Sequence, residues 1–378
     1  MQELHIVPDG ALLIRNGVIE ESGATQRIEN LQKARGAREI DAVGKVVMPA
    51  FVDPDAVLIA SPTQVSRTSG EIKEIPLRVL SRRRLEAGAI SAAAAWARCG
   101  ALTVGAHSGY ANDLRETTKV LRIQQGLQSK PLRIRSIFSP RGPTEVKVLI
   151  EQWLPAIRRM NLAPVLELTP GSGDCLGDAC LGIDDARLVA TAAARMGYSL
   201  RIRTAAAPVD AGVCDLALEG GVLGIVSNMP PPVLYTGRLA AIGCVHIISA
   251  MSTTADDPDI RKQARAALAE GAAIALASGY RTTGPGSFNS QYLLHLATER
   301  YGLSDAEAIV AATWNAACSL RMSHVTGSLE PGKTGDVSLM DVPDYRDLAR
   351  RPGHSDVQVV LRAGQIVYKR GGLLVENI

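Results

Sequence analysis

The sequence predicts an α/β protein: a (β/α)8 barrel of the TIM type with a small composite β-sandwich domain built from both termini. Two observations carry this expectation. Short apolar runs rich in β-branched residues alternate with amphipathic stretches through the middle of the chain, and eight such runs can be counted. Both ends of the chain, by contrast, read as β structure.

The elements follow in order. Ala11-Leu12-Leu13-Ile14-Arg15-Asn16-Gly17-Val18-Ile19-Glu20 reads as strand, turn, strand, since Asn-Gly supplies the positive-φ pair of a tight hairpin. The barrel strands are expected at 51–59, 101–107, 132–138, 164–169, 199–204, 222–228, 244–250 and 272–278, with helices at 91–99, 114–127, 144–160, 184–196, 210–219, 233–242 and 259–270. Gly100, Gly197, Gly220, Gly243 and Gly271 stand just past helix ends, where a left-handed backbone is wanted. Parallel strands joined by helical crossovers most simply close into a barrel, whose working end is the carboxyl end of its strands. An open doubly wound sheet is the alternative, but no Gly-x-Gly-x-x-Gly turn follows the first strand. A second strand pair is expected around Ala363-Gly364; a lone hairpin is unstable in water, so the termini should meet. The domain reading is residues 1–48 with 326–378 as the composite β domain and 49–325 as the barrel.

Composition narrows the functional classes. The 378 residues are 46% hydrophobic, carry a formal net charge of +3 and are only 4% aromatic, so nothing points to a nucleic-acid or membrane partner. No signal segment and no bilayer-length apolar run is visible, which makes a cytoplasmic location with reduced cysteines the expectation. Cys99, Cys214, Cys244 and Cys318 read as small buried hydrophobes. Cys175 and Cys180 sit in a glycine-rich loop at a spacing longer than a zinc knuckle, and their role stays open.

The carboxyl-terminal third carries a family resemblance. Tyr301-Gly302-Leu303-Ser304, Ala311-Ala312-Thr313-Trp314-Asn315-Ala316-Ala317, Gly327-Ser328-Leu329-Glu330-Pro331-Gly332-Lys333-Thr334-Gly335-Asp336-Val337 and Asp344-Tyr345-Arg346 resemble imidazolonepropionases of the amidohydrolase superfamily. His107-Ser108-Gly109-Tyr110 is similar to that family's segment after the second strand. The resemblance implies a barrel that uses one divalent metal, zinc or iron, to open a cyclic amide.

The departures fall on the residues that the resemblance makes functional. Where the family's first strand ends in two histidines one residue apart, this chain has Asp55 and Val57. The metal-binding histidine after the fifth strand is matched by Arg203, and the one after the sixth by Asn228. The Thr-Asp of the eighth strand is matched by Ser278-Gly279, which leaves no general base there. A metal that activates water needs at least three ligands and a base beside it, so the expectation is that no metal is bound and no catalytic residue can be named. A site rebuilt from Asp53, Asp55, His107, His246 and Cys244 is the alternative; His246 would look the same as a satisfied core histidine.

Arg203 is expected to point into the mouth and pair with Asp55. Ser108, Tyr110, Arg67, Arg203, Arg281, His107 and His246 are the candidate ligand-binding residues; Arg141 would add positive charge beside Arg67 and Arg281, and a carboxylate or phosphate is the ligand such charges would favour. Solvated loop arginines are the competing reading. Three functions are carried: an imidazolonepropionase-like protein that has lost metal-dependent hydrolysis and keeps a small-molecule pocket, an active hydrolase of non-peptide C–N bonds with a rebuilt site, and a scaffold or regulatory subunit of an active homologue. A homo-oligomer is expected. Whether any catalysis survives is left open by the sequence.

Overall fold

The computed structural model describes residues 4–371 apart from 60–62, 66–71, 110, 129–130, 141–144, 172–179, 205–208, 250, 252–258 and 281–286. Eight parallel strands lie side by side in chain order: Phe51–Ala56, Ala101–His107, Arg133–Phe138, Val165–Pro170, Ser199–Arg203, Gly224–Ser227, Val245–Ser249 and Ala273–Ala277. They are called the first to eighth barrel strands below. Closure comes where Ala56 bridges Tyr280 and the Val57 N–H donates to the Tyr280 carbonyl at 2.9 Å.

Alternation along each strand separates two layers. Leu166, Leu168, Leu200, Ile202 and Ile225 pack outward against the helices, while Val52, Ile137, Val165, Val226, Val245, Ile247, Ala275 and Ala277 fill the interior. The short helix Trp314–Ser319 and the residues after it add Ala316, Ala317, Leu320 and Met322 to that interior cluster, sealing the amino-terminal end of the barrel.

The helices match the expected positions with two physical differences. The first, Arg82–Arg98, starts well before residue 91, because Ser81 caps it by accepting from the Arg84 N–H and its exposed first turn is Arg82-Arg83-Arg84. The third widens to π geometry over Leu149–Trp153, just ahead of Pro155, which has no N–H to return to the preceding turn. Of the five capping glycines, four have positive φ; after Ala211–Gly220 the left-handed residue is Gly221, at φ 56°, and not Gly220.

Strands Val46–Pro49, Val337–Met340, Val357–Arg362 and Gln365–Lys369 form one antiparallel sheet, so chain from before and after the barrel shares it. The hairpin Gly10–Arg15 and Val18–Ala24 lies over it, placing Leu12 and Ile14 against Val337, Leu339, Val359 and Leu361. Asn16 and Gly17 both have positive φ, as the turn requires, and so do Ala363 and Gly364.

Candidate functional site

Local backbone geometry around Pro54 sets up the barrel mouth. Pro54 has no N–H for the ladder, and the pairing of the first strand with the second shifts register between Asp53 and Ala56. The shift turns the Pro54 carbonyl inward, where it accepts a 2.6 Å hydrogen bond from Arg201 Nη1. Gly105 of the second strand permits this, since a Cβ there would lie 2.4 Å from the Pro54 oxygen.

Inward positions of the first, second, fourth and fifth strands then converge. Arg201 Nε donates to Glu167 Oε2 at 2.6 Å and its Nη2 to Asp55 Oδ1 at 2.6 Å. Arg203 Nε donates to Glu167 Oε1 at 2.8 Å, and its Nη2 also donates to Asp55 Oδ1. His107 Nε2 sits beside the same Asp55 oxygen, and its Nδ1 is 3.3 Å from Glu167 Oε1. Two carboxylates and two guanidiniums thus form a closed, charge-balanced cluster around one imidazole. Arg201 is fully buried, whereas the Arg203 side chain keeps 13% exposure.

The electrostatics follow from this packing. Burial by itself raises the Asp55 carboxyl, but the Arg203 guanidinium, the His107 ring beside it and Arg201 more than reverse it and hold it well below the usual carboxylate range. Glu167 shows the same opposition: burial raises it, and Arg201, Arg203 and His107 bring it down to about 2. Arg203 is driven upward despite burial, because Asp55 and Glu167 face it.

The expectation that no metal site survives is overturned here. Asp55, His107 and Glu167 are all buried and each offers one ligand atom, with those atoms within 4.8 Å of one another. Carboxylate oxygens and an imidazole nitrogen are a donor set that suits zinc or iron. The sequence offers Asp55 as the one surviving carboxylate at a family ligand position and His107 as a candidate for a rebuilt site, but it gives no motif for Glu167, which comes from the fourth strand. The same oxygens also serve Arg201 and Arg203. A cation in this donor set would share them with two guanidiniums.

The other expected positions separate. Arg203 does meet Asp55. Val57 is buried, and Asn228 gives its backbone carbonyl to Tyr301 Oη at 3.3 Å. Gly279 has φ 58°, and a Cβ on it would lie 2.0 Å from Ser249 Oγ, so a side chain there would be strained and would have to displace that hydroxyl. Ser108 is not free for a ligand: its hydroxyl donates to the Ser139 carbonyl at 2.9 Å and accepts from the Ser139 N–H at 3.0 Å. Tyr110, Arg67, Arg141, Arg281 and Cys175 lie outside the described residues; Cys180 opens a two-residue strand against the end of the fourth.

His246 does not belong to the mouth. It pairs in register with Ile225 and Ile274, on the outward face of the sheet, and lines a cavity of about 10 Å³ together with Cys244 and Thr236, room for one water. Its Nε2 is 2.9 Å from Ser227 Oγ, and burial pushes it down to about 3. Asp53 is likewise committed elsewhere. It accepts from Ser278 N–H at 3.1 Å, Ser278 Oγ–H at 2.5 Å and Trp96 Nε1–H at 3.0 Å, which ties the first strand to the end of the eighth. Burial raises its carboxyl to about 6.

Comparison with known proteins agrees with this architecture. Residues 227–368 match the sequence model described as the amidohydrolase family. The chain is 30% identical to an imidazolonepropionase of Solibacter usitatus (strain Ellin6076), across 98% of this chain and 93% of that protein. It is 26% identical to one from Brevibacillus brevis, across 99% and 93%. Among solved structures, N-isopropylammelide isopropylaminohydrolase from Burkholderia multivorans superposes with a TM-score of 0.73 at 18% identity, covering 96% of this chain and 95% of that one. An adenosine deaminase from Xanthomonas campestris, solved with bound zinc, gives 0.68 at 15%, covering 99% and 92%. With its barrel, its β sandwich and these relatives, the chain belongs to the amidohydrolase family as an imidazolonepropionase-like member.

Proposed function

We propose that this protein no longer carries out the metal-dependent hydrolysis of its relatives and uses the barrel mouth to hold a small anion, a carboxylate or a phosphate. The observation that carries this reading is Arg203. It stands where the family resemblance puts a metal-binding imidazole, and it joins Asp55 to Glu167 while leaning toward solvent. Among the described residues its Nε and Nη2 are the hydrogen-bonded donors, and in this reading Nη1 is the donor that meets the ligand. The eighth-strand position, where the family resemblance puts a base, supports the loss of hydrolysis independently. Gly279 occupies the position of the family's aspartate, and at its left-handed φ a side chain would be strained and would have to displace the Ser249 hydroxyl.

When bound, a divalent ion would polarise a carbonyl and acidify a water. Asp55, His107 and Glu167 would be its ligands, but the carboxylate oxygens already serve Arg201 and Arg203, and Gly279 stands at the position of the family's proton-accepting aspartate. Loading the donor set would therefore not by itself restore the reaction.

A second reading, an active hydrolase of small C–N substrates with a rebuilt site, is favoured by one observation, the Asp55–His107–Glu167 donor triad. Calorimetric titration of the purified chain with acetate, a dicarboxylate and inorganic phosphate separates the two. Saturable binding that Arg203→Met weakens about tenfold or more supports the anion pocket. Failure of all three to bind, together with chelator-sensitive turnover of a cyclic amide, would favour the second reading.

A further inference from the structure

The opposite end of the barrel holds a second group of charges, in which Arg133 is paired and, among the described residues, Arg135 is not. Arg133 and Arg135 alternate on the third strand, in register with Thr103 and Gly105 of the second. Thr103 is in turn in register with Val52, which belongs to the interior cluster, and a Cβ on Gly105 would touch Leu320 of that cluster at 2.8 Å. All four positions therefore face the barrel interior near its amino-terminal floor.

Among the described residues, the single carboxylate in hydrogen-bonding contact with this group is already used. Asp336 accepts from Arg133 Nη1 at 2.5 Å, from Ala363 N–H at 2.9 Å and from Thr334 Oγ1 at 3.1 Å. Arg362 adds another positive charge near Asp336 and Arg133. No carboxylate among the described residues pairs with Arg135, whose Nε is buried without a partner. Thr103 Oγ1 is buried and unpartnered too, in a residue only 1% exposed.

Arg321 faces the same floor. It follows the helix that seals the barrel, holds a left-handed φ of 52°, and donates from Nη1 to Ser199 Oγ at 3.2 Å, at the start of the fifth strand. Burial, and after it the Arg321 charge, pulls Arg135 below the usual guanidinium value. A guanidinium with an orphaned Nε next to an orphaned buried hydroxyl is costly in a partly dry interior. A hydroxyl and two guanidiniums are also the donors from which oxyanion sites are made.

We propose that the floor of this barrel is a binding site for a small oxyanion, phosphate or carboxylate, held by Arg135, Thr103 and Arg321. The anion would accept from Arg135 Nε–H and the Thr103 hydroxyl and neutralise the charge that Asp336 leaves over. The site lies across the barrel from Arg203 and does not depend on the reading of the mouth.

The test is calorimetric and thermal-shift titration of the full chain with inorganic phosphate in one arm and acetate in another. Arg135→Met, Thr103→Val and Arg321→Asn serve as variants; the last sits at an exposed position where asparagine accepts the left-handed backbone. Saturable binding in either arm that Arg135→Met and Arg321→Asn each weaken about tenfold supports the site and names its ligand class. Should Arg135→Met fail to fold, Arg321→Asn and Thr103→Val decide. Absence of binding in both arms, or binding that the folded floor variants leave within about twofold while Arg203→Met abolishes it, overturns the proposal.

Discussion

Replacing Arg201 with methionine should destabilise the protein by about 3–5 kcal/mol, the usual consequence of removing one partner from a buried ion pair. The structure shows why the upper part of that range applies. Arg201 is fully buried and spends each donor group on a different acceptor, Glu167 Oε2, Pro54 O and Asp55 Oδ1, all at 2.6 Å. Hydrogen bonds to charged groups contribute roughly 1.5–3 kcal/mol each. Arg203 still bridges both carboxylates in the variant and limits the loss, but it cannot reach the pairing of two charges with two. Methionine fills much of the volume, so the effect is electrostatic rather than a cavity. Guanidinium-chloride denaturation followed by circular dichroism measures it. Adding Glu167→Gln to Arg201→Met removes the surplus negative charge and should recover part of the stability, giving a favourable coupling in the double-mutant cycle. A loss below about 1 kcal/mol for Arg201→Met would mean the cluster is not the anchor described here.

Two further outcomes follow from the geometry. Gly105→Ala puts a methyl 2.4 Å from the Pro54 carbonyl and 2.8 Å from Leu320, so it should cost at least about 2 kcal/mol or prevent soluble expression; a variant that melts with the parent refutes the tight approach. Asp53 has a folded pKa of about 6 against an ordinary 3.8, so the folded state holds its proton more tightly. Its contribution is therefore fully present below pH 3.8 and is lost as the pH rises through about 6, an effect of order 3 kcal/mol. Asp53→Asn should flatten the stability–pH curve between those limits, and an unchanged curve there would count against the buried carboxyl.

Legibility in the sequence tracked how local the determining physics was. The eight strands, the Asn16-Gly17 turn and most helix ends are set by periodicity and by residues adjacent in the chain, and they stand where expected. The pairing of Arg203 with Asp55 was also readable, since both sit at strand ends that a closed barrel brings together. Glu167 and Arg201 were harder. Arg201 lies two residues before Arg203 on the same strand face, but its pairing with Glu167 depends on register between the fourth and fifth strands. A charged residue in the apolar run Val165-Leu166-Glu167-Leu168 was the available signal. His246 went astray for the same reason: alternation gives two faces, and only the outer position of Ile225 and Ile274 beside it settles the choice. Gly279 was read as a missing base, whereas its positive φ and its contact with Ser249 are three-dimensional facts that make the loss hard to reverse.

The most direct test of the central claim is the initial rate of cyclic-amide ring opening, in an imidazolonepropionase assay, by chain supplemented with one equivalent of zinc, iron or manganese. The arrangement of Arg203, Glu167, Asp55 and Gly279 predicts no rate above the protein-free control with any of the three metals. A rate proportional to protein concentration and abolished by a chelator would contradict it.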